Sequence, residues 1–199
     1  MHGLVNKLIQ CFVEDTYDGD TWDCIVRESH LEFRDFEAML VYDDVLTDEV
    51  FVASGRILGK SRDAILEDIG AYLVTHDSMG TVRRLLRFGG HTFEDFLHSL
   101  DDLPDRIKLA IPDLEVPQMA LRDYTRHQHS LTVTWRMPGF GSVLLGLLRA
   151  LADDYGALVL LDIGRVEERG LAREVIKIEL LDVDFAEGRS FSLSAGGLR

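Results

Sequence analysis

A change of period at Pro112 constrains this chain more than any other feature. Before it, apolar residues recur every three or four positions; after it, they alternate. The first pattern builds amphipathic helices and the second half-buried strands. Val5, Leu8, Ile9, Phe12 and Val13 form one helical stripe. Gly19-Asp20 opens a second helix, with Trp22, Ile25 and Val26 facing inward. A third is expected to begin at Thr47 or Asp48 and to end near Gly59. Ser61 starts a fourth, with Ile65, Leu66, Ile69 and Leu73 on its apolar face, and "GTVRRLLRFG" a short basic one. Thr92 with Asp95 begins another in the manner of a capping box. Beyond Pro112, "HSLTVTWRM" alternates as a strand, and "GSVLLGLLRALADDYG" returns to helix and stops at Gly156. "ALVLLDIGRVEERGLAREVIKIELLDVDF" gives two strands around a polar turn. Helices first and a sheet second define an α+β domain. The expected division is a helical part over 1–112, then a mixed, mainly antiparallel sheet with one packed helix over 113–184. Residues 185–199 are expected to be a small, polar, flexible tail.

One helix contains a contradiction. In "FLHSLDDLPDRIKLAIPDL", residues 96–114, the apolar positions Phe96, Leu97, Leu100, Leu103, Ile107, Ala110 and Ile111 make a core-facing stripe, yet Pro104 interrupts it. A proline inside a helix removes a backbone donor and clashes with the preceding turn, costing about 3 kcal/mol. The helix is therefore expected to kink or restart there, with Asp101 or Asp102 capping the new start and Pro104 in its first turn.

Charge narrows the function classes. The chain has 35 acidic and 21 basic residues and a net charge of −14. Such a surface repels phosphate backbones and anionic lipid, so nucleic-acid and membrane partners are not expected. No apolar run approaches the ~20 residues of a membrane span, and the first residues do not read as a secretory signal. Cys11 and Cys24 have no metal-ligand spacing and read as reduced thiols, which makes the cytoplasm the expected compartment.

Catalytic signatures are not evident. Asp101-Asp102 and Asp153-Asp154 read as solvated helix faces. "GFG" at 139–141 lacks the Lys-Ser/Thr of a phosphate loop. His127 and His129 could place two imidazoles on one strand face, and an exposed hairpin explains them better. His91 belongs to a helix-start turn, His98 to a solvent or interface face, and His30 and His76 to helix ends.

Several motifs resemble one family in order along the chain. "MHGLVNKLIQCFVEDTYDGDTWDCIVRES", "VYDD" at 41–44, "FEDFLHSLDDL" at 93–103, "IPDLEVP" at 111–117 and "GLLRALADDYG" at 146–156 are similar to stretches of heme-nitric oxide/oxygen binding (H-NOX) domains. These are the sensor domains of soluble guanylate cyclase and bacterial relatives. The resemblance covers about residues 1–184. It implies a heme between helices and sheet, ligated by a helix histidine, with propionates held by a Tyr-x-Ser-x-Arg strand motif. It implies a non-enzymatic sensor of nitric oxide or oxygen, acting on a signalling protein such as a histidine kinase or a cyclic-nucleotide enzyme. Transferred residue by residue, Pro104 stands at the histidine position, where it has no atom to offer iron. In the preferred strand register Thr132, Thr134 and Arg136 stand at the propionate positions; a shift by one residue puts Val133, Trp135 and Met137 there. Val5, Leu100, Leu103, Pro117 and Val143 would line the pocket. The open alternatives are heme held atypically, another apolar or carboxylate ligand anchored by Arg136, and a protein–protein adaptor with a collapsed pocket.

Overall fold

The computed structural model describes residues 1–135, 137–168 and 171–189. Five helices come first: α1 (Gly3–Thr16), α2 (Gly19–Glu28), α3 (Asp44–Leu58), α4 (Arg62–Thr75) and, after a short 3-10 turn, α5 (Gly80–Arg87). The stop and start signals of the sequence act where they stand. Gly59 ends α3 in the left-handed conformation, at φ 65°, and Ser61 accepts a hydrogen bond from the Ala64 amide to start α4. The start of α3 differs from expectation: Asp43 caps it, accepting from the Val45 amide, so Thr47 and Asp48 lie inside the first turns. Thr47 is instead fully buried and donates to Asn6 of α1 at 2.8 Å. Trp22, Ile25, Phe36, Val50, Ile65 and Ile69 centre the first apolar core.

The interrupted helix is two helices. α6 (Phe93–His98) opens on the Thr92–Asp95 capping box, and α7 (Leu103–Ala110) restarts with Pro104 in its first turn. The expected aspartate cap is absent. Asp102 occupies the cap position without a side-chain bond, and Asp101 accepts from the Leu121 amide at 2.8 Å, tying the break to the sheet. Leu100, which the resemblance placed in the pocket, is fully buried in the second core with Phe96, Leu97, Leu131 and Leu148. The turn between α6 and α7 directs it into that core.

The sheet has four strands, β1 (Gln118–Thr125), β2 (Gln128–Trp135), β3 (Leu158–Glu168) and β4 (Leu171–Asp182), in the order β1-β2-β4-β3, with antiparallel neighbours throughout. α8 (Phe140–Tyr155) packs on one face and ends at Gly156, where φ is 79°. The sequence reading missed β1, an edge strand exposed along most of its length. His127 lies in the β1–β2 turn, and only His129 is on the strand. Its ring is buried and bonded to Asp123 at 2.6 Å. Of the expected tail, residues 186 and 189 bond back to Gly156 and Asp154 through their amides; residues 190–199 lie outside the described residues. No helix among the described residues is long and apolar enough to cross a membrane.

Candidate functional site

Where the two cores meet, α1, α3, α4, α5, α7 and α8 enclose a cavity of about 450 Å³. That volume falls within the roughly 300–1,000 Å³ of small-molecule sites. The walls are almost wholly apolar. α4 contributes Leu66, Ile69 and Leu73, and α8 contributes Val143, Leu144 and Leu147. α7 contributes Leu103, Ile107 and Ala110, with Ile111 after it, one face of a helix at the expected spacing.

Four of the expected lining residues are there: Val5, Leu103, Pro117 and Val143. Pro104 is not. It borders a second, more polar hollow together with Thr132, Thr134 and Arg173. The cause is the restart of the helix, which aims residue 103 inward and residue 104 outward. Thr132 and Thr134 are excluded by the pleat. Side chains alternate across a strand, and β2 buries Leu131 and Val133 against α8 and turns Trp135 to the cavity. The shifted register is thus the one that reaches the cavity, through Trp135 and Met137. Arg136 lies outside the described residues.

Polar groups in the lining are few. His2, which the sequence reading passed over, is the only histidine among the described lining residues, and no cysteine or tyrosine joins it. Its Nδ1 accepts a hydrogen bond from the Leu4 amide at 3.1 Å and thereby caps α1. An accepting Nδ1 leaves the ring proton on Nε2, so the free edge of the ring is a donor. Arg62, at the start of α4, is the only lysine or arginine among the described lining residues. Its Nη1 donates to Asp48 at 2.7 Å, and its guanidinium lies 4.7 Å from the centroid of Phe51. Asp113 and Glu115, in the segment between α7 and β1, are the carboxylates of the lining. The thioethers of Met1, Met119 and Met137 are the soft atoms of the described lining. No group of three His, Cys, Asp or Glu residues among the described residues could hold a metal ion.

An ion network anchored on the buried Glu174 clamps the α8 end of the cavity. The cap residue before α8 is Gly139, whose φ of 110° suits glycine alone and which has no side chain to cap with. The cap comes from β4. Glu174, 2% exposed, accepts from the amides of Gly139 and Gly141, the latter at 2.7 Å. A carboxylate at a helix N-terminus satisfies orphan amides and complements the dipole. Arg165 completes the network, donating to Glu174 at 2.7 Å and through both Nη atoms to Asp63. The hydrogen bond from Arg165 holds the Asp63 carboxyl below the usual range, and Asp63 raises the guanidinium in turn. A depressed folded value stabilises above the unfolded value of about 3.9 and is lost as pH falls through the folded one. The stability difference between wild type and Asp63→Asn should therefore be constant above about pH 5 and vanish toward acid. Urea titrations at several pH values measure it; a difference that persists in acid contradicts the charge assignment.

A family model described as Haem-NO-binding matches residues 2–161. Soluble guanylate cyclase 89Db of Drosophila melanogaster is 22% identical over 158 residues, covering 79% of this chain and 24% of that protein. Soluble guanylate cyclase gcy-31 of Caenorhabditis elegans is 21% identical over 187 residues, covering 93% of this chain and 27% of that protein. The chain thus spans about a quarter of the length of these relatives. Among solved structures, a Cs H-NOX mutant with the unnatural amino acid 4-cyano-L-phenylalanine superposes with a TM-score of 0.77 at 17% identity, over 94% of this chain and all of that one. An oxygen-binding H-NOX domain related to soluble guanylate cyclases, in its oxygen complex, gives a TM-score of 0.73 at 17% identity, over 96% of this chain and all of that one. These likenesses establish the fold, and the family model, which extends over most of the sequence, establishes that the chain belongs to the Haem-NO-binding family.

Proposed function

We propose that this chain is a non-enzymatic regulatory domain whose cavity is occupied without histidine-ligated heme, and that it acts on a signalling protein such as a histidine kinase or a cyclic-nucleotide enzyme. The observation that carries the reading is the α7 wall: Leu103, Ile107, Ala110 and Ile111 face the cavity, and none has an atom that binds iron. The size and apolarity of the cavity fit a macrocycle. Its donor set does not fit the metal. Protein heme is held through histidine, thiolate, tyrosinate or a histidine–methionine pair. The only imidazole in the described lining, His2, accepts from the Leu4 amide through Nδ1, so offering an Nε2 lone pair to iron would mean giving up the cap of α1. Met1, Met119 or Met137 would have to serve without a histidine as the other ligand. The family relationship supports a sensing role, and the open, preformed cavity favours a small ligand over a collapsed adaptor.

Native mass spectrometry and an absorption spectrum of freshly purified protein test this reading. The expected result is a protein without a stoichiometric Soret band that carries, or takes up, a small ligand. A one-to-one heme complex with a five-coordinate histidyl spectrum would overturn it.

A further inference from the structure

From the charge pattern of the lining we infer the class of the ligand, an inference resting on the iron-free reading above: the cavity takes an uncharged apolar molecule. A charged group that enters an apolar site loses its hydration, which is costly unless a counter-charge replaces it. The groups of the described lining that could supply one are already engaged or lie outside. Arg62 donates through Nη1 to Asp48 at 2.7 Å, and its Nε is buried. The Met1 amine is held by the Tyr42 carbonyl and by Asp44, each at 2.6 Å. His2 accepts from the Leu4 amide through Nδ1, which an uncharged imidazole does. The carboxylates, Asp113 and Glu115, are exposed. Deeper in, Ile69 of α4, Leu103 and Ile107 of α7, and Leu144 and Leu147 of α8 present only hydrocarbon.

The rim repeats the pattern. The exposed members of the described lining are Val41, Ala110, Asp113, Glu115 and Pro138. They bring two carboxylates, three apolar side chains and no lysine or arginine. Val41 is 79% exposed, which carries apolar surface from the cavity to the outside. An anion approaching this rim meets like charge, and further in it meets hydrocarbon. A cation is attracted at the rim and meets no carboxylate of the described lining beyond it. An uncharged apolar molecule gains by leaving water at both stages, with nothing opposing it. Cavities walled by aliphatic and aromatic side chains stay dry and take up such molecules.

The discriminating experiment uses N-phenyl-1-naphthylamine, an uncharged dye that fluoresces in apolar surroundings. It is titrated into the purified protein and then displaced by 1-adamantanol, adamantane-1-carboxylate or 1-adamantylammonium. The three competitors share one hydrocarbon cage and differ in charge. One dye is expected per chain, and the alcohol should displace it at least about tenfold more effectively than either ion. The net charge of −14 also opposes anions at long range. The preference over the carboxylate should therefore be measured again in about 1 M salt, where screening acts within about 3 Å, and it should persist there. Ala110→Trp changes an exposed residue of the rim and narrows the entrance; it should weaken the dye by about tenfold with the fold retained. An ion that competes as well as the alcohol, or a preference abolished by salt, would overturn the inference. So would a dye that does not bind, or whose binding Ala110→Trp leaves unchanged; each of these results leaves the iron-free reading intact. A hemin titration of the same sample giving a histidyl spectrum would overturn that underlying reading itself.

Discussion

Adding one methyl group at Gly146 should destabilise the protein by about 3 kcal/mol or more, a fall in Tm of roughly 6–12 °C for a chain of this length. α4 and α8 cross with glycine on both sides. A Cβ built on Gly146 would sit 1.9 Å from the carbonyl oxygen of Glu67, and one on Gly70 would sit 1.9 Å from that of Val143. The obstacle in each case is backbone, so no side chain can swing aside, and the helices must separate. Their separation would open the cavity, since Leu66 and Ile69 of α4 face Val143 and Leu147 of α8 across it. Gly146→Ala and Gly70→Ala should each show the loss in chemical denaturation. The double variant should lose less than the sum, because the first displacement makes room for the second. Gly164→Ala is the control: a Cβ there meets nothing within 4 Å. A Gly146→Ala protein about as stable as wild type would mean that the helices do not touch as described.

This close crossing was not legible in the sequence. Gly70 and Gly146 lie within helical stretches, and nothing local pairs two residues so far apart along the chain. Glu174 was equally hidden. It caps a helix whose cap residue, Gly139, lies 35 residues before it, and capping signals are read only within a few residues. The helices themselves were plain, because their apolar spacing, Ser61, Gly59 and the Thr92–Asp95 pair are local signals. The β2 register was also written in the strand. Leu131, Val133 and Trp135 alternate with Thr132 and Thr134, and burial favours the apolar set. A motif transferred by resemblance pointed to the threonine face. β1 was missed for the opposite reason: an exposed edge strand has little alternation to read. Pro104 was rightly read as a break, but only the geometry shows that a break also turns that residue out of the cavity.

That last point sets the sharpest expectation about heme. Wild-type protein given excess hemin should form no stoichiometric five-coordinate histidyl complex. The position to repair by sequence correspondence is 104, yet the position that faces the cavity is 103. Leu103 is 4% exposed and lies in the first turn of α7, directed at the same space as Ile107. Leu103→His would place an imidazole inside an apolar cavity of adequate volume, where an unpartnered ring gains most from a metal. It should bring measurable hemin affinity, a Soret band and a ferrous spectrum that responds to nitric oxide. Pro104→His depends on what holds the break. Were proline alone responsible, its removal would let α6 and α7 fuse, and in an unbroken helix residue 104 falls on the apolar stripe between Leu100 and Ile107. Other bonds also hold the turn. Asp101 accepts from the Leu121 amide at 2.8 Å, Arg106 donates to the Ser99 carbonyl at 2.7 Å, and Ser99 donates to that of Phe96 at 2.8 Å. With these intact, the imidazole introduced by Pro104→His stays beside Thr132 and Thr134, and hemin affinity should trail that of Leu103→His by about tenfold or more. Equal binding by the two variants would show that proline alone sets the break. A Leu103→His protein that folds and stays colourless would show that an inward-facing histidine is not sufficient, and that the propionate contacts are missing as well.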